Sequence, residues 1–316
     1  MLKRLSNLSE QRVHEEIVGA AEEYHAHIYQ KVRVADVIDI NRLGTRDAGT
    51  FGLQAHFDFC VADENHVAAF AIEFDGAGHV GSGDAKKDAI ARAANLPLFR
   101  IDERLLGRSL NGVTFLQYLV HIHFLGQAFR KWQESGQLDP SEPFIMGSFL
   151  KPDAKNIFDS QFNFDGAPRG RINSRLNKAG VPGGPFHHFG ISALMLGRED
   201  SSFVGFASVR VGDRTAFAKG RIDIGTPSLG SLGEIPFGWS ALSDFCEGMV
   251  LEDLCDEVAL VLAGHYHVVR TWEAVEADIS KLSAAGYAPL RGSSGDRCDP
   301  RLSSYIFPAK DGRPLP

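Results

Sequence analysis

Apolar and polar positions in the first third of the chain switch between two periods. In SEQRVHEEIVGAAEEYHAHI, residues 9–28, Val13, Ile17, Ala20, Ala21 and Tyr24 recur at helical spacing, which predicts an amphipathic helix with Ser9 as its N-cap. KVRVADVI, residues 31–38, starts as a strand. HFDFCVAD and HVAAFAIEFD then flank the polar turn DENH, the signature of a β-hairpin. DAKKDAIARAAN, from Asp84 to Asn95, has helical spacing and runs into the strand LPLFRI. The predicted order is α-β-β-β-α-β. A further long helix, within NGVTFLQYLVHIHFLGQAFRKWQES, closes this half near residue 135.

Beyond it, GQLDPSEPFIMGSFLKPD is rich in Pro, Gly and Ser and predicts a boundary. The expected organisation is a domain over 1–135, a linker over 136–155 and an α+β domain over 156–316. In the second half SFVGFASVRV and RTAFAKGRIDI alternate around Gly212 and Asp213, which predicts a hairpin, and from about Ser240 to Ala285 the spacing turns helical. A length of 316 residues suits two cores. No apolar run is long enough to span a bilayer and the start of the chain lacks a signal-peptide core, so the expected location is the cytoplasm. Cys60, Cys246, Cys255 and Cys298 are scattered without metal-binding spacing and read as reduced thiols, Cys60 as core. A formal net charge of -7 means that any polyanion site must be local.

Two chemistries compete at the end of the second hairpin strand. GAGHVG, residues 76–81, is a full G-x-G-x-x-G, with Asp102 and Glu103 about 20 residues on, as a dinucleotide cradle requires. Against this, Glu73 and Asp75 would repel a pyrophosphate, Ser82, Gly83 and Asp84 separate the glycines from the helix, and a hairpin precedes the strand. The same acids suit a metal. With the turn near Glu64 and Asn65, Asp58 comes opposite the neighbourhood of Ala71 to Glu73, and period two puts Glu73 and Asp75 on one face. Oxygen-only ligands favour Mg²⁺ or Mn²⁺.

FDFCVADENHVAAFAIEFDGAGH followed by KKDAIARAANLPLFRI, after an acidic helix and KVRVADVI, resembles the PD-(D/E)XK nuclease superfamily, in particular its bacterial branch near the very-short-patch-repair endonucleases. The resemblance covers residues 9 to about 105. It implies a restriction-endonuclease-like α-β-β-β-α-β core and metal-dependent hydrolysis of DNA phosphodiester bonds. It also implies that Asp58 and Glu73 hold the metal, that Asp75 stands where many members carry the catalytic Lys, and that His79 matches the branch's histidine. The acid of the first helix would be Glu10 or Glu16, with Glu16 carried into the catalytic set. Because no Lys follows two residues after Glu73, a transition-state cation must come from Lys86, Lys87 or His79.

Plainer readings stand beside these. Asp58 suits an exposed edge strand; Lys86, Lys87 and Arg92 suit the solvated face of a helix; Arg100 could pair with Glu73 or reach a phosphate. Histidines 121 and 123, two apart in a helix, do not share a face, and those in FHHF (186–189) and HYH (265–267) lack a partner at ligand spacing. From Gly166 to Arg198 there is no acidic residue, so Arg169, Arg171, Arg175 and Lys178 read as a phosphate-contacting stretch or as a basic linker packed on an acidic protein.

The expectation is therefore an α/β protein whose first domain is a Mg²⁺- or Mn²⁺-dependent endonuclease acting on DNA. Asp58, Glu73 and Asp75 would be ligands, with Glu16, His79 and Lys87 in the catalytic set, and Lys86, Arg169, Arg171, Arg175 and Lys178 would contact nucleic acid. The second domain would position the substrate, no membrane partner is expected, and there is room for a homodimer. The alternatives are an inactive nuclease-fold binding module and, behind it, a dinucleotide-dependent oxidoreductase.

Overall fold

The computed structural model describes residues 7–43, 46–75, 82–156, 159–181, 191–198, 202–212, 214–225, 237, 239–265 and 271–293. The protein is mixed α/β and forms two compact units. Unit 1 is Met1–Phe144 with two returns of chain, Glu199–Ser201 and Asp223–Gly238; unit 2 is the remainder. The first change of unit falls between Phe144 and Ile145, within 136–155, but the return of 223–238 means that the second unit is not one continuous stretch.

Unit 1 begins with α1 (Leu8–Glu22), which buries Val13, Ile17, Ala20 and Ala21. Its N-cap is Asn7 rather than Ser9: the Asn7 side chain accepts from Glu10 N at 2.8 Å, and the Glu10 carboxylate accepts from Asn7 N at 3.1 Å. That reciprocal pair satisfies two otherwise orphaned amides. Strand β1 is His27–Arg33, earlier than the expected KVRVADVI, because VADV closes instead into the single turn α2 (Val34–Val37). Helix α3 (Arg46–Gln54) follows, and then the hairpin β2 (His56–Ala62) and β3 (Ala68–Asp75). Asp63 shapes the turn by accepting from Asn65 N and Val67 N, both at 2.9 Å.

Helix α4 (Ser82–Ala93) starts at Ser82, so Ser82, Gly83 and Asp84 are its first turn and not a spacer before it. That removes one of the three objections to a dinucleotide cradle; GAGHVG itself lies outside the described residues. Strand β4 (Leu98–Asp102) and the short pair β5 (Ser109–Leu110) and β6 (Val113–Thr114) lead into α5 (Phe115–Glu134). The sheet order is β1-β2-β3-β4, antiparallel except for the parallel pair β3 and β4. Its inner strands are buried on both faces, hence their nearly continuous apolar runs. Ala71 and Leu98 pack with Ile90 and Ala91 of α4. On the opposite face Phe70 and Phe99 meet His123 of α5 and Phe237 from the returning segment.

Unit 2 holds α6 (Gly166–Lys178) and an antiparallel sheet of β7 (Ser192–Arg198), β8 (Ser202–Val211), β9 (Arg214–Asp223) and, after the helices α7 (Trp239–Leu262) and α8 (Trp272–Ala284), β10 (Ala288–Ser293), in the order β10-β7-β8-β9. β8 and β9 form the expected hairpin, turning through Gly212 at φ 67°, a left-handed value that glycine adopts without strain. Both faces are covered. Ala207 and Val209 pack with Val250, Leu254 and Val258 of α7, whereas Val204 and Phe206 pack with Val275 and Ile279 of α8. No helix among the described residues is long and apolar enough to cross a membrane.

Candidate active site

Two carboxylates stand where the inner strands of unit 1 would otherwise be apolar. The pairing Phe59↔Ile72, continued by one residue, sets Asp58 opposite Glu73. Both belong to the face of the sheet that α4 covers, since Cys60↔Ala71 is the next pair on that face. Glu73 is only 5% exposed. Its Oε2 accepts from Lys87 Nζ of α4 at 2.5 Å, while its Oε1, also buried, finds no hydrogen-bond partner among the described residues. Burial pushes this carboxyl up to about 7; Lys87 and Arg100 pull it back, and the neighbouring charge of Asp58 adds to the rise.

Asp58 is tied down at both oxygens. Oδ2 accepts from Phe74 N at 3.0 Å, and Oδ1 accepts from Lys31 Nζ of β1 at 2.6 Å. The same ammonium donates to Glu10 Oε1 at 2.7 Å, so α1, β1 and β2 meet at one cation. Burial works against that charge on Lys31, but the bonds to Asp58 and Glu10 outweigh it and hold the ammonium above its ordinary range. Lys31 has φ 51°, a left-handed backbone inside a strand.

The helix acid that reaches this site is Glu10. Glu16 instead accepts from Gly107 N at 2.8 Å, since six residues at about 100° per residue carry it well round the helix from Glu10. Lys87 is the one lysine of the pair in α4 that meets Glu73; Lys86 is exposed, with its ammonium 5.6 Å above the Phe51 ring. Arg100 pairs with Asp88 at 2.7 Å and Asp84 at 3.4 Å, both on α4, and its charge also acts on Glu73. The Asp75 side chain and all of His79 lie outside the described residues.

Sequence reasoning missed Lys31, whose signal was a cross-strand position opposite Asp58. Among the described residues no three His, Cys, Asp or Glu side chains are gathered tightly enough to hold a metal ion. The donors near Asp58 are nonetheless all oxygen, and Glu73 Oε1 is a buried acceptor still to be satisfied. Asp58, Glu73 and Glu10 carry oxygens of the kind a hard divalent cation takes, and in this structure Lys31 and Lys87 are bonded to them.

The histidines of α5 have separate partners: His121 Nδ1 lies 2.8 Å from Tyr24 Oη, and His123 Nε2 lies 2.8 Å from the Gln127 amide. Burial lowers His123 to about 4. FHHF and all of HYH but His265 lie outside the described residues.

In unit 2 the start of the acid-free stretch, where Arg169, Arg171, Arg175 and Lys178 lie, is helical. Its first 13 residues form α6, and its arginines turn to α7. Arg169, buried, donates to Glu247 at 2.9 Å and to Ile191 O at 2.8 Å; Arg171 pairs with Glu252, and Arg175 donates to Cys255 O. Lys178 is exposed. The placement of the three arginines favours internal neutralisation over phosphate contact. A cavity of about 160 Å³ nearby, lined by Phe162, Phe164, Asp165, Asp244, Glu247 and Arg291, had no signal in the sequence. Its charges pair within the wall: Arg291 meets both Asp244 and Glu247.

Residues 2–107 of the chain match the model of a family described as "Protein of unknown function (DUF2726)". No curated relative and no solved structure matches the chain. The matched span runs from α1 through β4 and takes in Glu10, Lys31, Asp58, Glu73 and Lys87.

Proposed function

We propose that unit 1 is a metal-dependent nuclease that hydrolyses DNA phosphodiester bonds, built on a restriction-endonuclease-like core. The observation that carries the reading is the buried Glu73 beside the half-buried Asp58 on adjacent inner strands, with a lysine ammonium on Glu73. Burying a carboxylate between two layers is costly, and a sheet does not need it. The mixed sheet supports the same reading, and so does the order α1, β1, β2, β3, α4, β4, although α2 and α3 come between β1 and β2 where the expected α-β-β-β-α-β core has no helix.

A divalent ion on these carboxylates would lower the pKa of a bound water and offset charge growing on the phosphoryl oxygens. The chain's own residues do the rest. Phe74 N fixes the orientation of the Asp58 carboxylate. Lys87 reaches Glu73 from α4 and supplies the ammonium that the position two after Glu73 lacks, placed to donate to a phosphate oxygen or the leaving group. Lys86, exposed one residue before it, adds positive charge on the same helix for the DNA backbone.

One observation favours a second reading, an inactive nuclease-fold binding module: Lys31 already neutralises Asp58 and Glu10. The experiment is plasmid cleavage with Mn²⁺ by the wild type and by Lys87→Met. The proposal expects nicking by the wild type and loss in Lys87→Met with Mn²⁺ binding retained. Binding of Mn²⁺ and DNA with no cleavage by the wild type selects the inactive module. Saturable NAD binding with no response to Mn²⁺ would instead revive the dinucleotide reading.

A further inference from the structure

Between Ile145 and α6, in unit 2, the described residues form no strand and no α-helix. Long connections of this kind are where binding residues concentrate. This one is held in place along its length. Ser160 Oγ donates to Phe149 O at 2.7 Å, the Asn163 side chain accepts from Gly166 N at 3.1 Å, and Phe162 and Phe164 are buried, with Phe164 edge-on to Phe245 of α7. Together with α7 and β10 it encloses the cavity of about 160 Å³. A space of ~150 Å³ takes a benzene ring.

The cavity walls are of two kinds. Phe162, Phe164 and Ile145 supply apolar surface, while Asp165, Asp244 and Glu247 supply carboxylates, answered by Arg291 in the wall and by Arg169 on α6. With all of them ionised, three carboxylates against two guanidinium groups leave one negative charge in excess. Glu247 is bonded at both oxygens, by Arg169 at 2.9 Å and Arg291 at 2.8 Å. Asp244 meets Arg291 through Oδ1 alone, and Asp165 meets Arg169 through Oδ2 alone, so among the described residues each keeps one oxygen for a ligand. An inorganic ion has no use for the aromatic walls, and an anion none for the excess carboxylate. We propose that this cavity binds a small organic monocation, an ammonium or amidinium group on a flat apolar body about the size of a benzene ring. Its charged end would lie on Asp244 and Asp165 and its body against Phe162 and Phe164. Nothing in this depends on the chemistry of unit 1. Burial pushes the Asp244 carboxyl up to about 6; Arg291 pulls it back, and Glu247 and Asp165 add to the rise. A bound cation needs that carboxyl ionised, so its affinity falls as pH drops from 7 to 5.

The test is an NMR titration of the full chain, followed at the amides of Phe164, Phe245 and Glu247, with benzylamine and benzamidine as probes and benzyl alcohol as their neutral counterpart. The proposal expects both cations to shift these amides saturably and benzyl alcohol to bind roughly tenfold more weakly, or worse. Asp244→Asn and Asp165→Asn should each weaken the cations by about tenfold, and Asp244→Asn should also remove the fall between pH 7 and pH 5. Asp165 is half exposed, so its variant keeps the test open even if Asp244→Asn does not fold. Benzyl alcohol binding as tightly as the cations, or cation affinity unchanged in the Asp variants, overturns the proposal. So does the absence of saturable shifts with either cation at high millimolar concentration.

Discussion

Glu73 should make this protein less stable as pH rises through neutrality, and replacing it with glutamine should remove that dependence. The carboxyl titrates near 7 in the fold against 4.5 for an ordinary glutamate. Between those values the folded chain keeps a proton that the unfolded chain has lost. Stability therefore falls as pH climbs from 4.5 to 7, and above 7 the loss is complete. At ~1.4 kcal/mol per pH unit the whole effect is ~3 kcal/mol. Little is to be subtracted for solvent screening, because the side chain is only 6% exposed. Glu73→Gln keeps the shape and stays neutral, so its stability relative to the wild type should rise by about 2–3 kcal/mol between pH 5 and pH 8. Urea unfolding followed by NMR at the amides of Phe59 and Ile72 restricts the measurement to this sheet. Saturating Mn²⁺ should flatten the wild-type slope, since a cation favours the charged carboxylate. A variant-to-wild-type difference that does not change with pH would refute the argument that burial, and not Lys87, governs this carboxyl.

Asp58→Ala should destabilise unit 1 by about 1–3 kcal/mol even without metal, because the relief of repulsion with Glu73 is outweighed by a stranded Phe74 amide and an unpaired contact of Lys31; Asp58→Asn, which can still accept from Phe74 N, should lose less in the same urea titration. In unit 2, Arg169→Leu should cost about 1–3 kcal/mol: it removes the bonds to Glu247 Oε1 and Ile191 O, while Arg291 stays on the other oxygen of Glu247. Lys178→Ala should leave thermal stability unchanged, and if α6 meets DNA it is this change that should shrink the salt slope of binding, by ~0.9 for a duplex phosphate. An Arg169 variant as stable as the wild type would show that the buried pair is not holding α6 to α7.

The elements of the first third were legible because each has a local cause: a 3.6-residue period in α1 and α5, and apolar runs broken by DENH in the hairpin. What failed was also local in origin. VADV follows three strand residues and is β-branched at both ends, so propensity extends the strand through it; only the packing of Val34 and Ile38 against α4 and Phe57 closes it into a turn. Helix α6 was hidden for a different reason. GAPRGRINSRLNK has glycine and proline in its first turns and a weak apolar stripe, and its helix depends on Ile172 and Leu176 burying against α7 and on arginines finding partners 80 residues away.

The site divides along the same line. Asp58 and Glu73 could be found because a charge inside an apolar strand is improbable on energetic grounds, and strand periodicity fixes which face it takes. Their counter-charges could not. Lys31 and Lys87 are ordinary lysines in their own segments, and Glu10 and Glu16 are equivalent acids to any count of composition. What separates them is register: Lys31 lies across from Asp58 in an antiparallel pair, and Lys87 lies on the helix that crosses between the parallel strands β3 and β4. Glu10 is picked out by the capping box, which turns one carboxylate oxygen to Asn7 and leaves the other for Lys31. With all three acids ionised, the two ammonium groups leave the cluster one negative charge in excess.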